Sequence, residues 1–180
     1  MENKPYIIAL TGAESTGKRT LAEALANYYR VPFIAEFARE HVRNLHGKYS
    51  FEDVEFIARK QIDQYNILVD SNHPIVILDT WLLITKVWFE VVYKQIPDWL
   101  ENSIRNLRVD LFLVCDTDLP WEADDVRENG GEIRNWLQQK YIDEIEKYGF
   151  TYRLVQGSGN KRTENAVDMI ELERKLHQQI

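Results

Sequence analysis

Between an apolar run that closes at Leu10 and a helical pattern that opens near Thr20, the chain reads Gly12-Ala13-Glu14-Ser15-Thr16-Gly17-Lys18. Glycines in such a turn permit backbone conformations that point successive N–H groups inward. Together with the N-terminus of the following helix, those amides can cradle phosphate oxygens. A lysine directly after the second glycine adds a point charge for the β- and γ-phosphates, where negative charge must be held during transfer. The seven residues fit the first seven positions of the eight-residue phosphate-loop (Walker A) pattern, in the required place after a strand and before a helix. Gly12, Glu14, Ser15, Thr16, Gly17 and Lys18 are therefore the candidate ATP-binding residues, with Lys18 also catalytic.

The eighth position departs from the pattern. A Ser or Thr hydroxyl that ligates Mg²⁺ is expected there, and this chain has Arg19, followed by Thr20. Arginine cannot ligate a cation, so Thr20 is the remaining hydroxyl candidate for the metal, and the metal site is expected to be weakened but not abolished. Arg19 stays in the candidate set because its guanidinium could instead meet a phosphate.

A carboxylate is the next requirement. Asp79 ends the fully apolar run Ile75-Val76-Ile77-Leu78, the presentation of a Walker B residue that holds magnesium through water or accepts a proton from an attacking hydroxyl. Asp116 ends a second apolar run and competes for the role; Asp79 is preferred because its strand precedes a helix in the expected order. Further on, Arg127 and Arg134 stand among Glu122, Asp124, Asp125, Glu128 and Glu132. Arginines on a lid of about residues 118–136 could close over the transferring phosphate and exclude water, although the same pattern also suits a solvated surface. Gln61 lies on the apolar stripe Ile57, Gln61, Tyr65, Leu68, where an amide needs a partner. Trp81, Thr85 and Trp88 share one helix face, and Trp121 opens the lid; aromatics so spaced more often build a core than a stacking platform.

The elements that must position these groups alternate short apolar runs with longer helical patterns, which indicates βαβ units and a mainly parallel sheet in an α/β fold. Strands are expected at Tyr6–Leu10, weakly at Val31–Ala35, and at Ile75–Asp79, Asp110–Asp116 and Thr151–Gln156. Helices are expected at Thr20–Tyr29, Phe37–Leu45, from the Ser50/Asp53 cap to about Asp70, Trp81–Tyr93, after Pro97, from Gly130-Gly131 to Tyr148, and at Thr163–Gln179. The 180 residues, 44% of them hydrophobic, suffice for one core, and no linker or repeat divides residues 1–180. A net charge of −7 and a pI of 5.2 disfavour nucleic-acid and membrane-surface partners. One cysteine, Cys115, expected to be buried, excludes an internal disulfide; with no signal peptide or long apolar span, a cytoplasmic location is expected.

Taken in order, Gly12–Lys18, Glu36-Phe37-Ala38-Arg39-Glu40, Ala58-Arg59-Lys60-Gln61, Leu78-Asp79-Thr80 with Thr85-Lys86-Val87-Trp88, and Pro120-Trp121 through Asp124-Asp125-Val126-Arg127 resemble the ribosylnicotinamide kinase domain (NadR type) of NAD-biosynthesis and regulatory proteins and its stand-alone ATPase relatives. The resemblance spans nearly the whole chain. It implies a three-layer P-loop kinase fold with a five-stranded parallel sheet, and transfer of the γ-phosphate of ATP to the 5′-hydroxyl of nicotinamide riboside. It further implies that Glu36, Arg39, Gln61 and Asp79 face the acceptor, that Arg127 and Arg134 belong to the lid, and that Gly157 and Arg162 lie near the adenine. Two positions depart from the family. An aspartate often found two residues after Asp79 is Trp81 here, and an aromatic before the Glu36 position is Ala35. No adenylyltransferase domain is expected ahead of the phosphate loop. The alternative is a regulatory or sensory ATPase with no small-molecule acceptor. A GTPase is disfavoured because Asn160-Lys161 continues as Arg162-Thr163 and gives no guanine-specificity motif.

Overall fold

The computed structural model describes residues 4–45 and 47–177. Its centre is a five-stranded, wholly parallel sheet in the order β2-β3-β1-β4-β5. The strands are β1 (Tyr6–Thr11), β2 (Phe33–Ile34), β3 (Ile75–Asp79), β4 (Leu111–Cys115) and β5 (Tyr152–Val155). The helices are α1 (Lys18–Tyr29), α2 (Phe37–Asn44), α3 (Phe51–Val69), α4 (Leu82–Trp88), α5 (Asp98–Asn106), α6 (Gly131–Lys147) and α7 (Gly159–His177).

Side-chain alternation along the strands builds the three layers. Ile7 and Ala9 of β1, Val76 and Leu78 of β3, and Phe112 and Val114 of β4 join one core, closed by α3, α4, α5 and α6. Ile8 and Leu10, Ile75 and Ile77, and Leu111 and Leu113 face the other core, closed by α1 and α7. Because both faces are covered, β1, β3 and β4 are buried throughout, which is why they read as continuous apolar runs. Cys115 is fully buried, and that burial pushes its thiol up to about 11.

Local chemistry sets the helix ends. At α3 the Ser50 hydroxyl accepts from the Asp53 amide while the Asp53 carboxylate accepts from the Ser50 amide, a reciprocal capping box. Other boundaries shift from expectation. The edge strand β2 shrinks to two residues, since it pairs only with β3. The expected helix from Trp81 to Tyr93 divides: Trp81 is its cap, α4 ends at Trp88, and Phe89–Tyr93 forms a π-helical turn. The last helix starts four residues early, at Gly159, and its expected residues 178–179 lie outside the described residues. Among the described residues no helix is long and apolar enough to cross a membrane.

Candidate functional site

Parallel order places the C-terminal ends of β1, β3 and β4 side by side. The register aligns Leu10 with Asp79, and Thr11 with Val114. The phosphate-loop residues leave β1 at this edge, as expected for ligand sites of open α/β sheets. Gly12 has φ +134°, and a Cβ there would come within 2.6 Å of the Cys115 carbonyl oxygen. Only glycine lets β1 turn so close to β4. Gly17, at φ +74°, then delivers the chain into α1 with Lys18 as its first residue. The Lys18 ammonium donates to Gly12 O and Ala13 O, both at 2.9 Å, and the Thr16 hydroxyl to Ala13 O at 2.9 Å. The loop is therefore an arch closed over its own lysine.

Three long-range side chains brace that arch. Gln138 of α6 accepts from the Ala13 amide at 2.8 Å and donates to Cys115 O at 3.0 Å. Arg134, only 7% exposed, donates to Glu14 O, Ser15 O and Leu119 O at 2.9–3.0 Å. The sequence reading makes Arg134 a mobile lid arginine; its guanidinium is instead occupied by three carbonyls and fixes the loop. Arg162, 4% exposed, donates to Thr16 O at 3.0 Å and Asp116 O at 3.1 Å. It also bonds Asp118 at 2.7 Å and Gly157 O at 2.6 Å, so it brings the turn after β5 against the phosphate loop. Gln138 carries no motif and was missed by sequence reasoning. Its only signal is a polar residue one position after Leu137 on the buried side of α6.

Asp79 is 1% exposed. Burial, then the nearby Glu36 carboxylate, pushes its pKa up to about 6 against the pull of Lys18 and Arg19. Both Asp79 oxygens, and the hydroxyls of Thr11 and Thr80, are buried without a hydrogen-bond partner among the described residues. Thr80 holds φ +71°, costly for a β-branched residue, and its amide bonds Leu10 O at 3.2 Å. A cluster of buried, unpaired oxygens beside a phosphate cradle fits a hydrated cation shared with phosphates. Among the described residues no three acidic, His or Cys side chains form a metal cage. The rival Asp116 accepts from the Thr117 amide and from Gln156 Nε2, both at 2.7 Å, so its carboxylate is engaged elsewhere.

Arg19 lies on the exposed side of α1, its side chain 60% accessible and bonded to Glu23 at 3.0 Å; Thr20 is also exposed. Arg19 lines a groove of about 370 Å³ with Glu36, Arg39, Glu40, Arg43 and Gln64, so Glu36 and Arg39 come together as expected. Gln61 is not among its walls. It is 3% exposed, accepts from the Thr85 hydroxyl at 2.9 Å, and keeps an unpartnered Nε2 among the described residues. Burial, then the fields of Glu14 and Glu36, raises the Tyr141 phenol, which α6 adds to the core. Trp81 belongs to the core, stacked on Tyr65 with centroids 4.9 Å apart, while Trp88 meets Tyr49 edge-on at 4.7 Å.

The irregular loop 116–130 lies over the phosphate loop. Glu14 accepts from Asn129 N at 2.9 Å and Asn129 Nδ2 at 3.0 Å, and the Ser15 hydroxyl takes the Glu122 amide at 3.0 Å. Trp121 packs on Gly130, where a Cβ would meet the indole at 3.1 Å, and closes the base of this loop. Arg127 donates to Glu122 O at 2.5 Å and lies 3.3 Å from Asp124.

Residues 7–162 match a family described as an AAA domain. The chain belongs to that family. It is 24% identical over 163 residues to the trifunctional NAD biosynthesis/regulator protein NadR of Escherichia coli (strain K12), covering 86% of this chain and 40% of that protein. The NadR of Salmonella typhimurium (strain LT2) is 25% identical over 153 residues, 81% of this chain and 37% of that protein. The resemblance read from the sequence is borne out as such, and the chain spans about two fifths of the length of these curated relatives. Among solved structures, a NadR protein in complex with NR superposes with TM-score 0.77 at 21% identity, over 96% of this chain and 52% of that one. A thymidylate kinase from Ehrlichia chaffeensis follows at TM-score 0.63 and 16% identity, over 94% and 98% of the two chains. The expected P-loop nucleotide-kinase-like fold is therefore observed.

Proposed function

We propose that this chain is an ATP- and magnesium-dependent kinase that transfers the γ-phosphate to a small-molecule hydroxyl, with a nucleoside or riboside such as nicotinamide riboside as acceptor. The observation that carries the reading is the pairing of the Lys18 arch with the buried, unpartnered Asp79 one strand away. A carboxylate beside the phosphate cradle can anchor water-bound magnesium in any ATP-binding protein of this kind, and in a kinase it can also accept the proton of the acceptor hydroxyl. A carboxylate tuned to about 6 suits a base that accepts the proton of an attacking hydroxyl near neutral pH. The similarity to NadR proteins, one structure of which holds NR and another NAD and AMP-PNP, supports this acceptor class.

In this reading the loop amides from Glu14 to Lys18 hold the phosphates, and Asp79 anchors water-bound magnesium or takes the proton. Gly157 and Arg162 border the adenine, and Glu36 and Arg39 face the acceptor, while Gln61 lies outside the groove they line and is held by Thr85. The loop 116–130, with Arg127, acts as the lid; Trp121 closes its base, and Arg134 positions the loop beneath it. The Glu36 carboxylate close to Asp79 favours an acceptor that carries positive charge, a description that nicotinamide riboside meets. Residues 1–180 act as one domain, in the cytoplasm. The second reading, an ATPase without acceptor, is favoured by Arg19 alone, which leaves the eighth loop position without a hydroxyl. ADP release measured across a panel of ribosides tests the choice: acceleration by a riboside supports the kinase, and a rate indifferent to every riboside supports the ATPase.

A further inference from the structure

Among the described residues the Asp124 side chain gathers more polar contacts than any other side chain of the 116–130 loop. Its Oδ1 accepts the amides of Val126 and Arg127, both at 3.0 Å. Its Oδ2 pairs with Arg39 Nη2 of α2 and lies 3.3 Å from Arg127 Nε. The next residue, Asp125, takes Arg43 Nε at 3.0 Å and Nη2 at 2.9 Å. Two consecutive acids of the loop thus face two arginines one turn apart on α2. Their weights differ. The Arg39 and Asp124 side chains are 23% and 22% exposed, against 47% and 62% for Arg43 and Asp125, and solvent screens the outer pair. Although burial opposes it, the Val126 amide and the Arg39 guanidinium hold Asp124 down at about 2, so the carboxylate stays charged.

Resting on the kinase reading, we propose that Asp124 is a positioning residue for phosphoryl transfer: it holds the guanidiniums of Arg39 and Arg127 together across the gap between α2 and the lid, so that acceptor engagement and lid closure are one event. The two cations repel each other, and each alone prefers water. An anion between them removes both tendencies and presents their remaining N–H groups to a phosphate. Because Arg39 lines the groove with Glu36, its position on α2 is read by the lid chiefly through Asp124, the better shielded of the two ties.

The test uses Asp124→Asn, which removes the charge but keeps an oxygen for the two turn amides, together with Arg39→Gln and the double variant. In ligand-free protein, hydrogen exchange of amides 121–130 should be faster by about tenfold in each single variant, with the double variant no faster than either. With nicotinamide riboside as the probe acceptor, both single variants should raise the acceptor KM more than they lower kcat. Exchange at the wild-type rate, additive effects in the double variant, or an unchanged acceptor KM overturns the proposal. Failure of the kinase reading shows separately, as wild-type protein that phosphorylates no riboside while the exchange arm still reports whether the tie exists.

Discussion

Gln138 takes the Ala13 amide at 2.8 Å while its own amide nitrogen donates to the Cys115 carbonyl at 3.0 Å, so one side chain of α6 fixes the start of the phosphate loop to the end of β4. Both bonds are buried. Gln138→Leu keeps the volume and removes both bonds. Two unsatisfied buried groups should cost about 2–4 kcal/mol, lowering Tm by about 4–16 °C for a domain of this size. Calorimetric melting measures it. A Tm within a degree of wild type would mean that the brace is dispensable.

The Asp79 carboxylate should destabilise the ligand-free fold at neutral pH. Its pKa is raised from 3.8 to about 6, so the folded state binds the proton more tightly than the unfolded state. Stability from this group is present below pH 3.8 and is lost as pH rises through about 6. Asp79→Asn should therefore melt higher than wild type by about 2–3 kcal/mol above pH 6, with the gain vanishing toward pH 4. The same variant should transfer phosphate about 10²-fold more slowly or worse. Wild-type kcat/KM should fall on the acid side with an apparent pKa near 6. A gain over wild type no larger at about pH 7.5 than at about pH 4 would place the carboxylate in a wetter setting than the structure does.

The fold was legible because its signals are local. Strands buried on both faces read as apolar runs, Ser50 and Asp53 announce α3, and the glycines of the phosphate loop stand at fixed spacing. Asp79 was legible for the same reason, as the acid that closes such a run. What could not be read is carried by partners far apart in the chain. Arg134 meets Glu14 and Ser15, Arg162 meets Thr16, and Arg39 meets Asp124, across separations of 120, 119, 146 and 85 residues respectively. From sequence alone Arg134 and Arg162 are charges in charged stretches, with nothing to say that either is buried. The break of the expected Trp81–Tyr93 helix was equally hidden, because the π-helical turn inserts one residue per turn without a glycine or proline to mark it.

Arg19 should matter to magnesium more than to stability. Its pair with Glu23 is exposed and four residues apart, so Arg19→Ala should change stability by no more than about 0.5 kcal/mol. Arg19→Thr supplies the hydroxyl that the pattern places at this position, and activity should then saturate at several-fold lower magnesium. A magnesium titration of ATP consumption decides; coincident curves for wild type and Arg19→Thr would show that position 19 does not reach the metal.

Lys18→Ala should fold with wild-type Tm and lose ATP affinity by about 10²-fold or more, because its ammonium serves the phosphates and packs little apolar surface. Isothermal titration with AMP-PNP measures this directly. A folded variant with unchanged affinity would remove the phosphate cradle from the account.

The central claim is transfer, and mass spectrometry of the acceptor after incubation with ATP, magnesium and nicotinamide riboside tests it most directly. The account predicts a riboside heavier by one phosphate group, formed in equal amount to ADP and about 10²-fold or more slower to accumulate with Lys18→Ala or Asp79→Asn. ADP formed at one rate with or without riboside, and no phosphorylated riboside at any enzyme concentration, would contradict it.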